Sequence, residues 1–447
     1  RDAQESRGLG DVYKRQFMTS GNRTNARWFR NVLHSRFEIK TVVVGTGSDE
    51  SAEARVLGRS IRVTPEGWEY EADPRHSEMI VREHNLLHAN GVKFPGSVPS
   101  THEEEENNEP LVGAEVTKFR ASAARANYLS QDRTDLQYAA KEICRGMANP
   151  TVGHARALRR LARYLILHPR VVWHFPWQEE VRSVHAFSDS DWAGCRVSAK
   201  STSGGILMRG SHCIRSYSVT QKNVTLSSAE AELVALVRCT SEAIGLTQLA
   251  QGWGMTLEAH VFVDSSAALS IATRRGVGKL RHVKIGHLWV QERAAEGDVQ
   301  YRKVPGTENP ADICTKHIPP HVLESLFWRL GQIFTSGRPA SGLMLDGIFH
   351  PNSAAPRGAF HPTGASGMTY LDFNESSNGL STGPAPQCRG NNSGEPSQAA
   401  QEVGRKGGGG VSRLNNVATD SDVHGHSAAS AAVIRPAPQM LHSMREV

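Results

Sequence analysis

The stretch FSDSDWAG, residues 187–194, decides the fold because it closes a short apolar strand with two aspartates and a turn. Residues 184–188 are predicted to form that strand, so Asp189 is expected at its carboxyl end. The residues that follow, up to about 318, alternate between strand and helix patterns more regularly than any other part of the chain. They are therefore predicted to form one folded unit.

The predicted elements of this unit follow a definite order. Residues 204–208 and 212–217 form a hairpin around 209–211, and a long helix begins at Ser227, where Ser227 and Glu230 make a capping-box pattern. The remaining elements are strands at 260–263 and 299–304 and helices from 265, 283 and 310. This order predicts an α/β fold with a mixed five-stranded sheet flanked by helices.

Four carboxylates fall at strand ends or helix starts, which converge on one rim of such a sheet: Asp189, Glu232, Asp264 and Asp312. Taken singly, each is more simply a turn, cap or solvated helix residue. Together they offer the oxygen ligands that Mg²⁺ prefers, and without metal their mutual repulsion would be costly. The set predicts hydrolysis of a phosphodiester with two Mg²⁺ ions, for which Mn²⁺ can substitute.

Several sequence blocks in this unit carry a family resemblance. They are residues 187–194, 200–205, 226–232, 263–267, 281–283 and 309–316. Segment 184–318 resembles the ribonuclease H domain at the end of copia-type LTR-retrotransposon polyproteins.

The resemblance implies that the enzyme cuts the RNA strand of RNA–DNA hybrids. It also implies that the four acids are its catalytic, metal-binding residues, with Asp191 and Glu230 as supporting or structural neighbours. By analogy, Ser190 and Ser228 contact the substrate, whose 2′-OH distinguishes RNA from DNA. For Ser228 a simple capping role beside the helix start is equally open.

The resemblance extends upstream, where residues 120–170 are similar to the family's segment joining polymerase and ribonuclease H, and 31–90 to the end of the polymerase. The chain contains no Asp-Asp dipeptide, so the polymerase's metal-binding motif is absent and DNA synthesis is excluded. The predicted domains are a non-native-looking leader (1–16), a reverse transcriptase remnant (17–95), an acidic linker (96–116), a helical connection segment (117–175), the ribonuclease H-like domain (180–320) and a disordered tail (331–447). The chain thus reads as a segment of a larger polyprotein.

The amino-acid composition limits the kinds of protein that this chain can be. Fifty-one Lys and Arg against 45 Asp and Glu leave a net charge of +6, compatible with nucleic acid, and the six scattered cysteines disfavour a disulfide scaffold. No apolar run approaches the about 18 residues of a membrane span, and the Gly-, Pro- and Ser-rich tail lacks apolar periodicity. The expected partners are an RNA–DNA hybrid and the missing polymerase part, with no membrane. The resemblance implies a cytoplasmic retrotransposon particle, or the nucleus.

Some alternatives stay open. The chain could be an inactive nucleic-acid-binding remnant, whereas a strand transferase would want a Glu where Val299 stands. A basic helix face is either solvated or laid along a phosphate backbone; it comprises Arg156, Arg159, Arg160 and Arg163. A zinc site at Cys314, His317 and His321 is disfavoured because no fourth ligand is near. No His precedes Asp312 in its loop, which predicts slow product release.

Overall fold

The computed structural model of the protein describes residues 17–96, 108–278, 282–337 and 430–436. The predicted leader, most of the predicted acidic linker and most of the predicted tail lie outside these described residues. Their assignments therefore stay predictions.

The first half of the described chain consists of strands followed by helices. In order these are β1 (Phe17–Gly21), α1 (Arg23–His34), β2 (Ile39–Val44), β3 (Glu53–Val56), β4 (Arg59–Thr64), β5 (Gly67–Glu71), α2 (Pro74–Glu83), α3 (Ala114–Ser130), α4 (Thr134–Arg145), α5 (Val152–Leu167) and β6 (Arg170–Pro176). The predicted connection segment is thus three helices and a strand, and its first helix begins inside the predicted linker.

The second half holds the predicted α/β unit. Its elements are β7 (Ser183–Asp191), β8 (Thr202–Arg209), β9 (His212–Thr220), α6 (Ser228–Gly252), β10 (Glu258–Val263), α7 (Ser266–Thr273), α8 (Trp289–Glu296), β11 (Val299–Lys303), α9 (Pro320–Arg329), β12 (Gln332–Thr335) and β13 (Ser430–Pro436). Short 3₁₀ helices span Ile285–Leu288, Gly306–Glu308 and Pro310–Cys314. The predicted last helix from residue 310 is therefore one of these 3₁₀ turns.

The predicted five-stranded mixed sheet is present, with strand order β11-β10-β7-β8-β9. Strand β10 lies parallel to both β7 and β11, while β8 runs antiparallel to its two neighbours, β7 and β9. Helix α6 packs on this sheet through side chains such as Leu233, Leu236 and Cys239, all fully buried. The α/β fold class is confirmed.

Helix α6 begins where its sequence signal places it. The Ser227 hydroxyl accepts a hydrogen bond from the Glu230 backbone N–H at 3.2 Å, and the Glu230 carboxylate accepts one from the Leu226 N–H at 2.7 Å. By length and mean hydropathy alone this helix could cross a membrane, contrary to the sequence expectation. Its buried residues include two carboxylates, Glu230 and Glu232, and face the protein core, so α6 is the central helix of this fold.

A second, antiparallel sheet has the order β12-β6-β5-β4-β3. Its strand β12 lies within the predicted disordered tail, yet it pairs with β6, and Phe334 in β12 stacks on Phe327 at 4.9 Å. A third sheet places β13, also in the predicted tail, between β1 and β2. Four- to seven-residue strands like these are stabilised by their partners, which local composition does not reveal.

Helices α2 to α5 form a core of their own, beside the second sheet. The predicted apolar stripe of α5 is confirmed, since Leu158, Leu161 and Leu165 are buried. A fully buried ion pair supports this core: Arg133 donates two hydrogen bonds to Asp135, at 2.9 and 2.6 Å, and Tyr164 donates a third at 2.8 Å.

Candidate active site

Asp189 lies near the end of β7 and is 3 % exposed. It is opposite Gly204 of β8 in the antiparallel register. Its Oδ2 accepts a hydrogen bond from the hydroxyl of Thr315, which is itself buried. The carboxylate is thus held by a residue from the far end of the unit.

Glu232 reaches the same place from the first turns of α6. Its Oε1 accepts a hydrogen bond from the Ser190 backbone N–H at 3.2 Å, so the residue after Asp189 orients this carboxylate. Its Oε2 is buried and has no hydrogen-bond partner within the described ranges. A buried carboxylate oxygen without a donor is costly unless a ligand completes it.

Asp264 directly follows β10, whose last residue, Val263, is in parallel register with Ser188 of β7. Asp264 and Asp189 therefore follow paired residues on neighbouring strands, which places their side chains at one edge of the sheet. Ligand oxygens of Asp189, Glu232 and Asp264 all lie within 4.8 Å of one another. Three of the four predicted acids are thus brought together.

The protonation equilibria of these acids reflect their crowding. Burial, together with the charges of Asp189 and Asp264, raises the pKa of Glu232 to about 9. Burial and the Asp189 charge also raise the pKa of Asp264. The protein thus holds negative charge here at an energetic cost that a bound cation would offset.

Asp312 lies beside this group without joining it. Its carboxylate Oδ1 is 2.8 Å from the Lys316 ammonium, which lies 4.0 Å from Asp189 Oδ2. Burial and the Asp189 charge raise the pKa of Asp312 to about 7. Asn309 fixes the segment, since its Nδ2 donates to the Ser188 carbonyl at 2.9 Å and its Oδ1 accepts from the Ala311 N–H at 3.2 Å.

The three clustered carboxylates fit a hard divalent cation. They supply only oxygen ligands, and Glu232 Oε2 is a buried oxygen that lacks a partner. Asp312 interacts with Asp189, and only its Oδ1 contacts Lys316, so it could offer a further oxygen ligand beside the cluster.

The two neighbouring acids, Asp191 and Glu230, accept hydrogen bonds from backbone N–H groups. Asp191 accepts hydrogen bonds from the Thr202 N–H and, at 3.0 Å, from its hydroxyl. Glu230 accepts from the Leu226 N–H, and His282 Nε2 lies 3.3 Å from its Oε2. Both acids therefore shape the turns beside the cluster.

The two predicted substrate-binding serines border the cluster. Ser190 orients Glu232 through its backbone, and its own hydroxyl oxygen is buried without a hydrogen-bond partner in the described residues. Ser228 is exposed in the first turn of α6, one turn before Glu232.

The other sequence candidates have local contacts. On the basic face of α5, Arg160 lies over the Phe94 ring at 4.5 Å and Arg163 donates to the Asn90 carbonyl at 2.9 Å. In the disfavoured zinc set, the Cys314 thiol contacts Gln137 Oε1 at 3.6 Å and His317 packs edge-on against Tyr138. These arginines and this cysteine–histidine pair stabilise the fold.

Sequence comparison finds related proteins. The "Retrovirus-related Pol polyprotein from transposon RE1" of Arabidopsis thaliana is 28 % identical over 220 residues, which are 48 % of this chain and 15 % of that protein. The corresponding polyprotein from transposon TNT 1-94 of Nicotiana tabacum is 25 % identical over 261 residues, 56 % of this chain and 19 % of that protein. The homologues of this chain thus include retrovirus-related Pol polyproteins of copia-type transposons.

A shorter relative has a different name. A protein named "Secreted RxLR effector protein 161", from Plasmopara viticola, is 36 % identical to this chain over 115 residues, 26 % of the chain and 80 % of that protein. No family model matches the chain. The chain spans about 15 % of the length of the RE1 and RE2 polyproteins.

Solved structures similar to this chain include the N-terminal ribonuclease H domain of a Mycobacterium tuberculosis protein. It has 18 % identity and a TM-score of 0.24, covering 33 % of this chain and 98 % of that chain. LC11 ribonuclease H1 in complex with an RNA/DNA hybrid has 16 % identity and a TM-score of 0.23, covering 30 % and 94 %.

The sequence patterns assign no role to three residues that hold the site: Thr315, Lys316 and Asn309. They donate to Asp189, pair with Asp312 and anchor the strand before Asp189, respectively. All three lie in the block 309–316 that carries the family resemblance, which was the available signal. Their partners are distant in sequence, so no local pattern assigns their roles.

Proposed function

We propose that this chain is a metal-dependent ribonuclease H, a hydrolase that cuts the RNA strand of RNA–DNA hybrids and leaves 3′-OH and 5′-phosphate ends. The observation that carries the proposal is the group formed by Asp189, Glu232 and Asp264, whose oxygens lie within 4.8 Å of one another. The similarity to Pol polyproteins supports a nuclease in general, and the hybrid substrate is the more specific proposal.

In this proposal Asp189, Glu232, Asp264 and Asp312 hold two Mg²⁺ ions, or Mn²⁺ in their place. Such a pair of ions activates the attacking water and stabilises the leaving oxygen in phosphodiester hydrolysis. Glu232 Oε2 is available as a ligand because no protein donor occupies it in the described chain.

The surrounding residues keep the acids in place for this reaction. The Ser190 N–H holds Glu232, and the Thr315 hydroxyl holds Asp189. Lys316 offsets part of the negative charge through its contact with Asp312 at 2.8 Å. Ser190 and Ser228 border the cluster and are proposed to contact the RNA strand, where a 2′-OH would be recognised.

The test is a cleavage assay on an RNA–DNA hybrid and on double-stranded RNA of the same sequence, with Mg²⁺ titrated. We expect cutting of the hybrid only, and its loss in Asp264→Asn, which preserves size and removes the charge. Asp298→Asn is the matched control, because Asp298 pairs with Arg293 on the exposed turn before β11. It should cut at the wild-type rate.

Cleavage by Asp264→Asn at the wild-type rate would contradict the site assignment. Equal cutting of double-stranded RNA would contradict the substrate. Hybrid binding without any cutting by the wild-type chain would instead support the alternative, an inactive nucleic-acid-binding remnant.

A further inference from the structure

A groove of about 740 Å³ lies away from the acidic cluster, between helices α3 and α4 on one side and strand β9 with helix α6 on the other. Four basic side chains line it: Lys141, Arg145, Arg215 and Arg238. The other lining residues are polar or apolar, and no acid is among the described residues that line it. The groove therefore presents a cationic surface.

In the wall formed by β9 and α6, two of these basic side chains share one acidic partner. Arg215 and Arg238 both pair with Glu242, at 3.2 and 3.6 Å, so a single carboxylate serves two guanidinium groups. The Arg238 guanidinium also lies 4.9 Å from the centre of the Tyr217 ring. Its Nε is buried and has no hydrogen-bond partner among the described residues, as is true of Ser218 Oγ in the same wall.

In the wall formed by α4, two basic side chains again share one paired acid. Glu142 pairs with both Lys141, at 2.5 Å, and Arg145, at 3.3 Å. Lys141 also donates to the Thr202 hydroxyl at 2.6 Å. Thr202 pairs with Asp191 in the β7–β8 register, and Asp191 lies two residues after Asp189. This end of the groove therefore leads towards the edge of the sheet that carries the acidic cluster.

We propose that this groove binds the sugar–phosphate backbone of a single nucleic-acid strand outside the catalytic site. Guanidinium groups match phosphate oxygens in geometry and charge. The four cations interact with three acids, Glu142, Glu242 and Asp191, which leaves a positive excess for an anion. The volume is that of one small ligand, which suits a few nucleotides of one strand. The identity of the ligand as nucleic acid rests on the proposed function.

The test measures binding of a fluorescein-labelled single-stranded RNA, and of its DNA equivalent, about eight nucleotides long. The full chain is used in EDTA, so that the acidic cluster carries no metal and cuts nothing. In the double variant Arg215→Gln/Arg238→Gln, loss of two phosphate contacts should lower the salt dependence of log K by about 1.4. At about 0.1 M salt this corresponds to roughly 25-fold weaker binding.

Two matched variants separate charge from structure. Arg215→Lys/Arg238→Lys keeps both charges and should retain the wild-type salt dependence, whereas Arg182→Gln, in an exposed pair with Glu180, should bind as the wild type does. The proposal is overturned if the Gln variant binds the single strands with unchanged affinity and salt dependence. It is equally overturned if the wild-type chain binds only a duplex of the same sequence.

The outcome is independent of catalysis. Asp264→Asn should bind the single strand normally, because Asp264 does not line the groove. A chain that binds the strand through Arg215 and Arg238 but never cuts a hybrid would contradict the proposed function and leave the groove assignment standing.

Discussion

The hydroxyl of Thr315 donates a hydrogen bond to the carboxylate of Asp189, although 126 residues separate the two in sequence. Thr315 follows the 3₁₀ helix that carries Asp312, so one side chain links the first and last acids of the predicted site. Both residues are buried, and a hydrogen bond to a buried charged group contributes more than one between neutral groups.

Replacing Thr315 with Val should slow hybrid cleavage by about ten- to a hundredfold, because hydrogen bonds to charged groups contribute about 1.5–3 kcal/mol. The Val side chain has nearly the same shape but no donor for Asp189. Thr315→Ser keeps the hydroxyl and should restore most of the rate. Single-turnover cleavage rates of the three proteins test this, and a Val variant as fast as the wild type would refute it.

The raised pKa of Glu232 predicts a pH dependence of stability in the metal-free protein. Burial and the charges of Asp189 and Asp264 raise that pKa from 4.5 to about 9, so the folded state binds the extra proton between these values. The free energy of unfolding should therefore fall as pH rises from about 4.5 to about 9. Glu232→Gln removes this contribution, so its stability advantage over the wild type should grow with pH.

Thermal unfolding of both proteins in EDTA, across this pH range, measures the difference. Added Mg²⁺ should reduce it at high pH, because the cation favours ionised Glu232 in the wild type and the variant lacks that ligand. Parallel curves for wild type and Glu232→Gln would show that Glu232 titrates normally.

Gly204 should not tolerate a side chain. A Cβ at this position would lie 2.6 Å from Thr315 Cγ2 and 2.9 Å from Cys314 Cβ, so the segment that carries Asp312 would have to move. Gly204→Ala should therefore destabilise the protein by about 1–3 kcal/mol and lower cleavage.

The matched control is Gly245→Ala, in the exposed middle of α6, where an added Cβ meets nothing within 4 Å. It should stabilise the protein by about 0.5–1 kcal/mol, since Ala favours helix over Gly. Chemical denaturation of both variants gives the comparison. A Gly204→Ala protein as stable and active as the wild type would mean that the 310–315 segment has room to shift freely.

Local patterns were sufficient for most elements between β7 and β11. The capping residues of α6, the hairpin around Gly210 and the strands that end near Asp189 and Asp264 were all predicted, because each depends on neighbours a few residues away. The rim placement of Asp189 and Asp264 followed from the same patterns, since parallel neighbouring strands end at one edge.

The strands of the predicted tail could not be anticipated in this way. Strand β12 depends on β6, which precedes the α/β unit, and Phe334 depends on Phe327. The local sequence does not predict that Arg133 and Asp135 form a buried ion pair, because charged residues are usually solvated.

By itself, the sequence determined the order of strands and helices from β7 to β11 and pointed to four acids near one sheet edge, because hydrophobic periodicity and capping act over a few residues. Only the tertiary structure decided that Asp189, Glu232 and Asp264 share a cluster while Asp312 pairs with Lys316 beside it. The reason is distance along the chain: contacts between residues more than a hundred positions apart arise from packing, and packing has no local signature.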